Sequence, residues 1–345
     1  MYAAVQNLPK CQHPDTGFHG TAKKNSAKKE IDPKAILSRI AFSLDNILSV
    51  SVFVFLKILS SFFSIPFAFE SQTTRHEPNL IYEKKAILNR LGKIDDPIAF
   101  ELLPKKSRWV ANVAAKFLPN SVIEKLGWIV QRTEFIDGQL KLFLEETGDE
   151  SESANPKRQV LVLGSGYDTR CLRYGNLPGV GFYCVDLPSV ASNCGKIVER
   201  YRADVGESSG NGIPEAPTFV SLDLNSVGSD DGKVSLLETL SNAGFATDGS
   251  IPTMVLCEAV LFYLTPSSAQ SITSELFSLR QSRYCLTDNL SKVGVIPGGG
   301  PEGPPPIAAK ARCEKWLSSQ NKDLVDHDSI WGGAIHFVGA RESSA

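Results

Sequence analysis

Gln159-Val160-Leu161-Val162-Leu163-Gly164-Ser165-Gly166-Tyr167-Asp168-Thr169-Arg170 is the stretch from which the fold of this 345-residue chain is read. Val160 to Leu163 is short and wholly apolar, the pattern of a parallel strand buried on both faces. Gly164 and Gly166 follow at once, and a glycine turn brings backbone N–H groups close to a ligand where a Cβ would intrude. The next strand candidate, 180–185, ends in Asp186, about 20 residues on, where a carboxylate can accept hydrogen bonds from a ribose diol. Two glycines after a strand also make ordinary turns, so the weight rests on their coupling to a buried strand and an acid. The third glycine of the dinucleotide fingerprint is missing, because Thr169 stands there. That argues against a pyrophosphate-bearing dinucleotide and for a cofactor with adenosine but no pyrophosphate. S-Adenosyl-L-methionine is the common one.

Working outward, apolar strands alternate with helical spacings. Strands are predicted at 160–163, 180–185, 218–222, 252–257 and 283–287, and helices near 168–174, 188–202, 233–243 and 266–280. This alternation predicts an α/β fold, a Rossmann-like doubly wound, mostly parallel sheet. Upstream, apolar residues recur at three and four over 85–91, 97–103, 109–117 and 121–143, a helical lead-in from about 83 to 144. The acidic, serine-rich run 145–158 separates it from a cofactor-binding core at 159–290 and reads as an exposed loop. Residues 293–306 hold five glycines and five prolines and read as a loop. A helix at 308–318 and a last strand at 333–340 close the 76–345 domain.

Composition narrows the function. Hydrophobic residues make up 42% and charged residues 21%, as in a globular domain, and a net charge of −2 gives no electrostatic reason to expect nucleic acid. The seven cysteines are scattered without a C-x-x-C pair or a nearby histidine set, so they read as reduced thiols of an intracellular, cytoplasmic protein and no metal site is expected. Residues 1–75 form a polar, basic extension predicted to be poorly ordered around an apolar segment at 47–69. That segment is long enough to span a bilayer, which takes roughly 20 apolar residues. Lys57 near its middle would cost about 2.5–3.5 kcal/mol on insertion. A membrane contact, a targeting element and a helix packed on the domain all stay open.

Several motifs in order make the chain resemble the leucine carboxyl methyltransferases, the family that includes the enzyme methylating the C-terminal leucine of protein phosphatase 2A. Lys85-Ala86-Ile87-Leu88-Asn89-Arg90 leading to Asp96-Pro97 resembles its N-terminal helix and D-P turn. Gln131-Arg132-Thr133-Glu134-Phe135 resembles its arginine-bearing helix, and 163–169 its cofactor loop. Val185-Asp186-Leu187-Pro188 and Ser221-Leu222-Asp223-Leu224 follow in register, and 252–264 is the most specific stretch. The likeness implies a class I methyltransferase fold with an N-terminal helical extension. It implies S-adenosyl-L-methionine as methyl donor and a carboxylate acceptor. The leading partner it implies is the C-terminal tail of a protein phosphatase, on the catalytic subunit.

The resemblance also carries the candidate site: Lys85, Arg132, Gly164, Asp186, Asp223, Leu224 and Glu258 as cofactor-binding residues, with no catalytic residue and no metal. Gly164 and Asp186 would serve the glycine loop and the ribose, although an acid before Leu187-Pro188 can also cap a helix. Asp223 and Leu224 would frame adenine, against a solvated loop acid as the plain alternative. Glu258, in an apolar context, needs a cationic partner, from the protein or from the cofactor. Arg132 would meet the cofactor carboxylate, and either Lys85 or its neighbour Lys84 could be solvated. Asp168 and Arg170 pair with each other or hold the loop. A carboxylate acceptor, ionised at neutral pH, needs no general base, which agrees with the lack of a His-Asp or Cys-His pair in these motifs. The region 291–345 is shorter than the family's usual helical acceptor region, so other carboxyl or hydroxyl acceptors, in a tRNA nucleoside or a small metabolite, and a non-catalytic scaffold stay open.

Overall fold

The structure, a computed structural model, describes residues 78–146, 157–208, 215–228, 234–295 and 306–343, all within the unit Phe62–Ala345. The apolar segment 47–69, most of the 145–158 loop and residues 296–305 lie outside the described residues. Helices α1 (Pro78–Arg90), α2 (Pro97–Glu101), α3 (Lys105–Phe117), α4 (Asn120–Lys125) and α5 (Gly127–Glu145) precede the sheet. The core then runs β1 (Arg158–Leu163), α6 (Arg170–Arg173), β2 (Val180–Asp186), α7 (Pro188–Ser208), β3 (Thr218–Ser221), α8 (Leu236–Asn242), β4 (Thr253–Glu258), α9 (Pro266–Phe277) and β5 (Ser282–Asp288). It ends with α10 (Pro306–Ser319) and the antiparallel pair β6 (Lys322–Ile330) and β7 (Ile335–Glu342).

The seven strands form one sheet in the order β3-β2-β1-β4-β5-β7-β6, parallel except for β7 against its two neighbours. Alternation along β1 supplies both faces. Leu161 and Leu163 join Val255, Leu286 and Val338 on the face covered by α8, α9 and α10, while Val160 and Val162 join Met254, Ile136 and Leu140 on the α5 face. The core strands therefore read as continuous apolar runs, because neither face meets water.

Two expectations are corrected. Residues 121–143 are not one helix: α4 ends at Lys125, and Leu126, with φ −89° and ψ −2°, separates it from α5. The tail is also more than a loop, a helix and a strand. Strand β6 is hidden in the sequence, because Asp323, His327 and Ser329 break its apolar pattern. As the sheet's edge strand, β6 is mostly solvent-facing and has no second core to read. The last strand starts at Ile335, after a single 3₁₀ turn at Trp331–Gly333.

Candidate active site

Parallel register brings the motifs to one edge of the sheet. Leu163 lies opposite Val185 and Cys257, so Gly164, Asp186 and Glu258 emerge side by side at the carboxyl ends of β1, β2 and β4. Asp223 stands two residues past the end of β3. Gly164 and Gly166 sit at φ +53° and +48°, a backbone region that suits glycine. A Cβ on Gly164 would also meet Val260 Cγ2 at 2.5 Å.

Asp186 holds this turn. Its Oδ2 accepts from Gly166 N at 2.7 Å and its Oδ1 from Leu187 N at 2.7 Å. Burial raises its carboxyl, partly offset by these two N–H groups. Each oxygen keeps a second lone pair for a ligand hydroxyl. Asp223 is exposed and accepts from Asn225 N at 2.9 Å, capping the 3₁₀ turn Leu224–Ser226, whose Leu224 side chain is buried.

Glu258 is the charge centre. Lys85 Nζ lies 3.3 Å from its Oε1, Arg132 Nε 2.9 Å from the same oxygen, and Arg170 donates to Oε2 at 2.8 Å. Lys85, rather than Lys84, is the residue that α1 delivers. Burial works against the anion, but Lys85, Arg132 and Arg170 outweigh it and hold the carboxyl well below its usual range. Arg132 Nε lies close to Glu258 Oε1 but without the alignment of a hydrogen bond, so the pair is held by charge.

Arg170 is only 1% exposed and also grips Asp137 at 2.6 Å and Asp168 at 2.7 Å. Arg173 takes the other oxygen of Asp137 at 2.8 Å, and Asp137 is held low, against burial, by Arg170 and Arg173. The D-P turn joins in through Asp96, which caps α2 and accepts from Thr169 Oγ1 at 2.7 Å. Asp137 carries no sequence signal, since an acid on a helix reads as solvated until its arginine partners are known.

Asp288, at the end of β5, likewise carries none. Its carboxylate accepts from the amides of Val260, Leu261 and Phe262 at 2.6, 2.6 and 3.1 Å, and from Asn289 N at 2.7 Å. It thereby fixes the loop after Glu258, where Ala259 stands at φ +57°. Beside the site, Arg132 Cζ lies 5.0 Å from the Trp128 ring, and Trp128 and Trp331 stack tilted at 5.5 Å. These two tryptophans, with Lys125, Gln131 and Ile330, line an open groove of about 510 Å³.

A seven-stranded sheet in this order, with a glycine turn closing β1 and an acid closing β2, is a Rossmann-like core, and the family match makes the chain an S-adenosylmethionine-dependent methyltransferase. The family is set by sequence. The chain belongs to the leucine carboxyl methyltransferase family, whose profile matches residues 84–277. It is similar to tRNA wybutosine-synthesizing protein 4 of Homo sapiens, 29% identical over 195 residues that cover 54% of this chain and 26% of that protein. The Rattus norvegicus counterpart is 31% identical over 140 residues, 39% of this chain and 20% of its own length. The match thus spans about a quarter of the human relative's length and a fifth of the rat relative's. Among solved structures, magnesium protoporphyrin IX methyltransferase from Synechocystis superposes with TM-score 0.35 at 17% identity, over 62% of this chain and 83% of that one.

Proposed function

We propose that this methyltransferase esterifies a free carboxylate, through direct in-line transfer from S-adenosylmethionine. The cofactor, when bound, supplies an electrophilic methyl on a sulfonium. Of the chain's own residues, Gly164 and Gly166 leave room for close approach, and Asp186 offers acceptor lone pairs to the ribose hydroxyls. Asp223 and Leu224 frame the adenine, and Arg132 and Lys85 meet the amino-acid end beside Glu258. The carrying observation is the Lys85–Arg132–Arg170 cluster on Glu258, three cations around one carboxylate at the strand ends. The two histidines among the described residues, His327 and His336, bond to each other rather than to any residue of this cluster. An acceptor that is already an anion suits such a site, because alignment and exclusion of water then suffice.

A protein C-terminal leucine is the leading acceptor, from the family. A second reading, a carboxyl group on a modified tRNA nucleoside, is supported by the relatives' name and by the groove. Trp128 and Trp331 offer faces on which a planar base can stack, and Trp331 holds φ +54°, a conformation rare for so large a side chain. It runs against the expectation drawn from net charge. The test is transfer of labelled methyl to a peptide ending in a free leucine carboxylate, to its amidated form, and to unfractionated tRNA. A base-labile ester on peptide or tRNA, absent from the amidated peptide, is the expected result. No ester on either, with S-adenosylmethionine binding intact, would overturn the carboxylate reading.

A further inference from the structure

The C-terminal tail brings together three residues that are far apart in sequence. Cys313 lies on α10, His327 on β6 and His336 on β7. His327 pairs with Val338 across the β6–β7 ladder, so His327 and His336 are diagonal neighbours on one sheet face. That is the face α10 covers, since Cys313 and Leu317 pack with Val338 and Ala340. Two contacts converge on one atom: Cys313 Sγ is 3.7 Å and His327 Nε2 is 3.2 Å from His336 Nδ1. No pair of the three ligand atoms is more than 4.8 Å apart. Cys313 and His336 are fully buried, whereas His327 is half-buried and leaves one side open. The scattered cysteines and the lack of a nearby histidine set gave no expectation of a metal site in the sequence, yet the packing of α10 on the hairpin brings these three side chains together.

We propose that Cys313, His327 and His336 form a zinc-binding site that clamps α10 to the β6–β7 hairpin. Zinc–thiolate bonds of about 2.3 Å and zinc–imidazole bonds of about 2.0–2.1 Å put tetrahedral ligand atoms roughly 3.3–3.6 Å apart. The two shorter separations, 3.7 and 3.2 Å, lie just outside that spacing on either side. The longest edge closes by rotation of His327, which has solvent on one side. His336 binds through Nδ1, and its Nε2 is buried without an aligned hydrogen-bond partner. One thiolate and two imidazoles suit zinc, and copper of the electron-transfer type would need a weak axial ligand such as methionine. The one methionine among the described residues, Met254, packs on the opposite face of the sheet. A solvent-reachable fourth position takes water. His336 stands opposite Asp288 in the β5–β7 ladder, and the turn that follows β6 presents Trp331 to the groove. The metal therefore stiffens the part of the tail that carries this aromatic wall, whatever the acceptor is.

The full-length chain, stripped with chelator, is titrated with Zn²⁺ and separately with Co²⁺ as a spectroscopic stand-in. One zinc per chain is expected, and the cobalt form should show tetrahedral ligand-field bands with a thiolate charge-transfer band. His327→Gln, at a half-exposed position that tolerates the change, should weaken binding about tenfold or more. Cys313→Ser should abolish the charge-transfer band. His13→Gln, remote in sequence, should change neither. Absence of stoichiometric uptake by the wild-type chain would overturn the site. So would wild-type affinity in His327→Gln, a thiolate band surviving in Cys313→Ser, or loss of binding in His13→Gln.

Discussion

Glu258 shows how one residue carries an energetic load set by its neighbours. A carboxylate with three cations around it, 15% exposed, stabilises the fold only while all the charges are present. Glu258→Gln keeps the shape and removes the anion, leaving Lys85, Arg132 and the buried Arg170 facing one another. Breaking a buried pair in this way costs about 3–5 kcal/mol. Because the folded-state pKa lies below the unfolded value, the Glu258 contribution is present above the ordinary glutamate pKa and is lost as pH falls through the folded one. Urea titrations from neutral pH down to about pH 3 should therefore show a gap between wild type and Glu258→Gln that narrows on acidification. A gap that is constant with pH would mean that the ion cluster does not govern this site.

At the level of elements, Asp288 joins two of them: the end of β5 and the loop that follows β4. Its four amide donors come from that loop and from Asn289, yet burial still pushes the carboxyl up to about 6. A folded pKa above the unfolded one has the opposite sign to Glu258. The native state binds the extra proton, so stability falls as pH rises from about 4 to about 6 and is flat beyond. Asp288→Asn removes this slope, worth about 3 kcal/mol, and also forfeits acceptor capacity toward the loop. Relative to wild type the variant should be less unfavourable at pH 7 than at pH 4, read from chemical denaturation at both. A wild-type curve with no fall over that window, after the acidic cluster is accounted for, would contradict the burial argument. The same element pair explains Gly164, since the loop that Asp288 fixes presses Val260 against it.

For the whole molecule, the positioning residues from Lys85 to Asp288 lie C-terminal to the extension. A chain beginning at Ser71 should bind S-adenosylmethionine within about twofold of the full-length affinity, the tolerance expected for distant, independent segments. Calorimetry on both forms checks it, and a folded but non-binding truncation would place a needed residue before Ser71. Among the described residues no helix is long and apolar enough to cross a membrane. The apolar segment 47–69 lies outside them, so its membrane, targeting and packing readings stand as alternatives.

The parallel core was legible because strands buried on both faces are wholly apolar, and because a glycine turn and a strand-end acid leave a fixed spacing. The positions of Lys85, Arg132, Gly164, Asp186 and Glu258 followed from ordered motifs, and the sheet register then brought Gly164, Asp186 and Glu258 to one edge. What needed the tertiary structure was every interaction between distant segments whose residues look solvated one at a time. Asp137 became an arginine anchor only when α5 packed against α6. Asp288 became a loop holder through amides 26 to 28 residues away in sequence. The edge strand β6 hid behind its polar face, and with it the meeting of His327, His336 and Cys313. Local pattern reports burial and turn geometry, because each depends on near neighbours in the chain. Charge pairing and ligand convergence depend on which remote segments fold together, and the packed structure alone decides that.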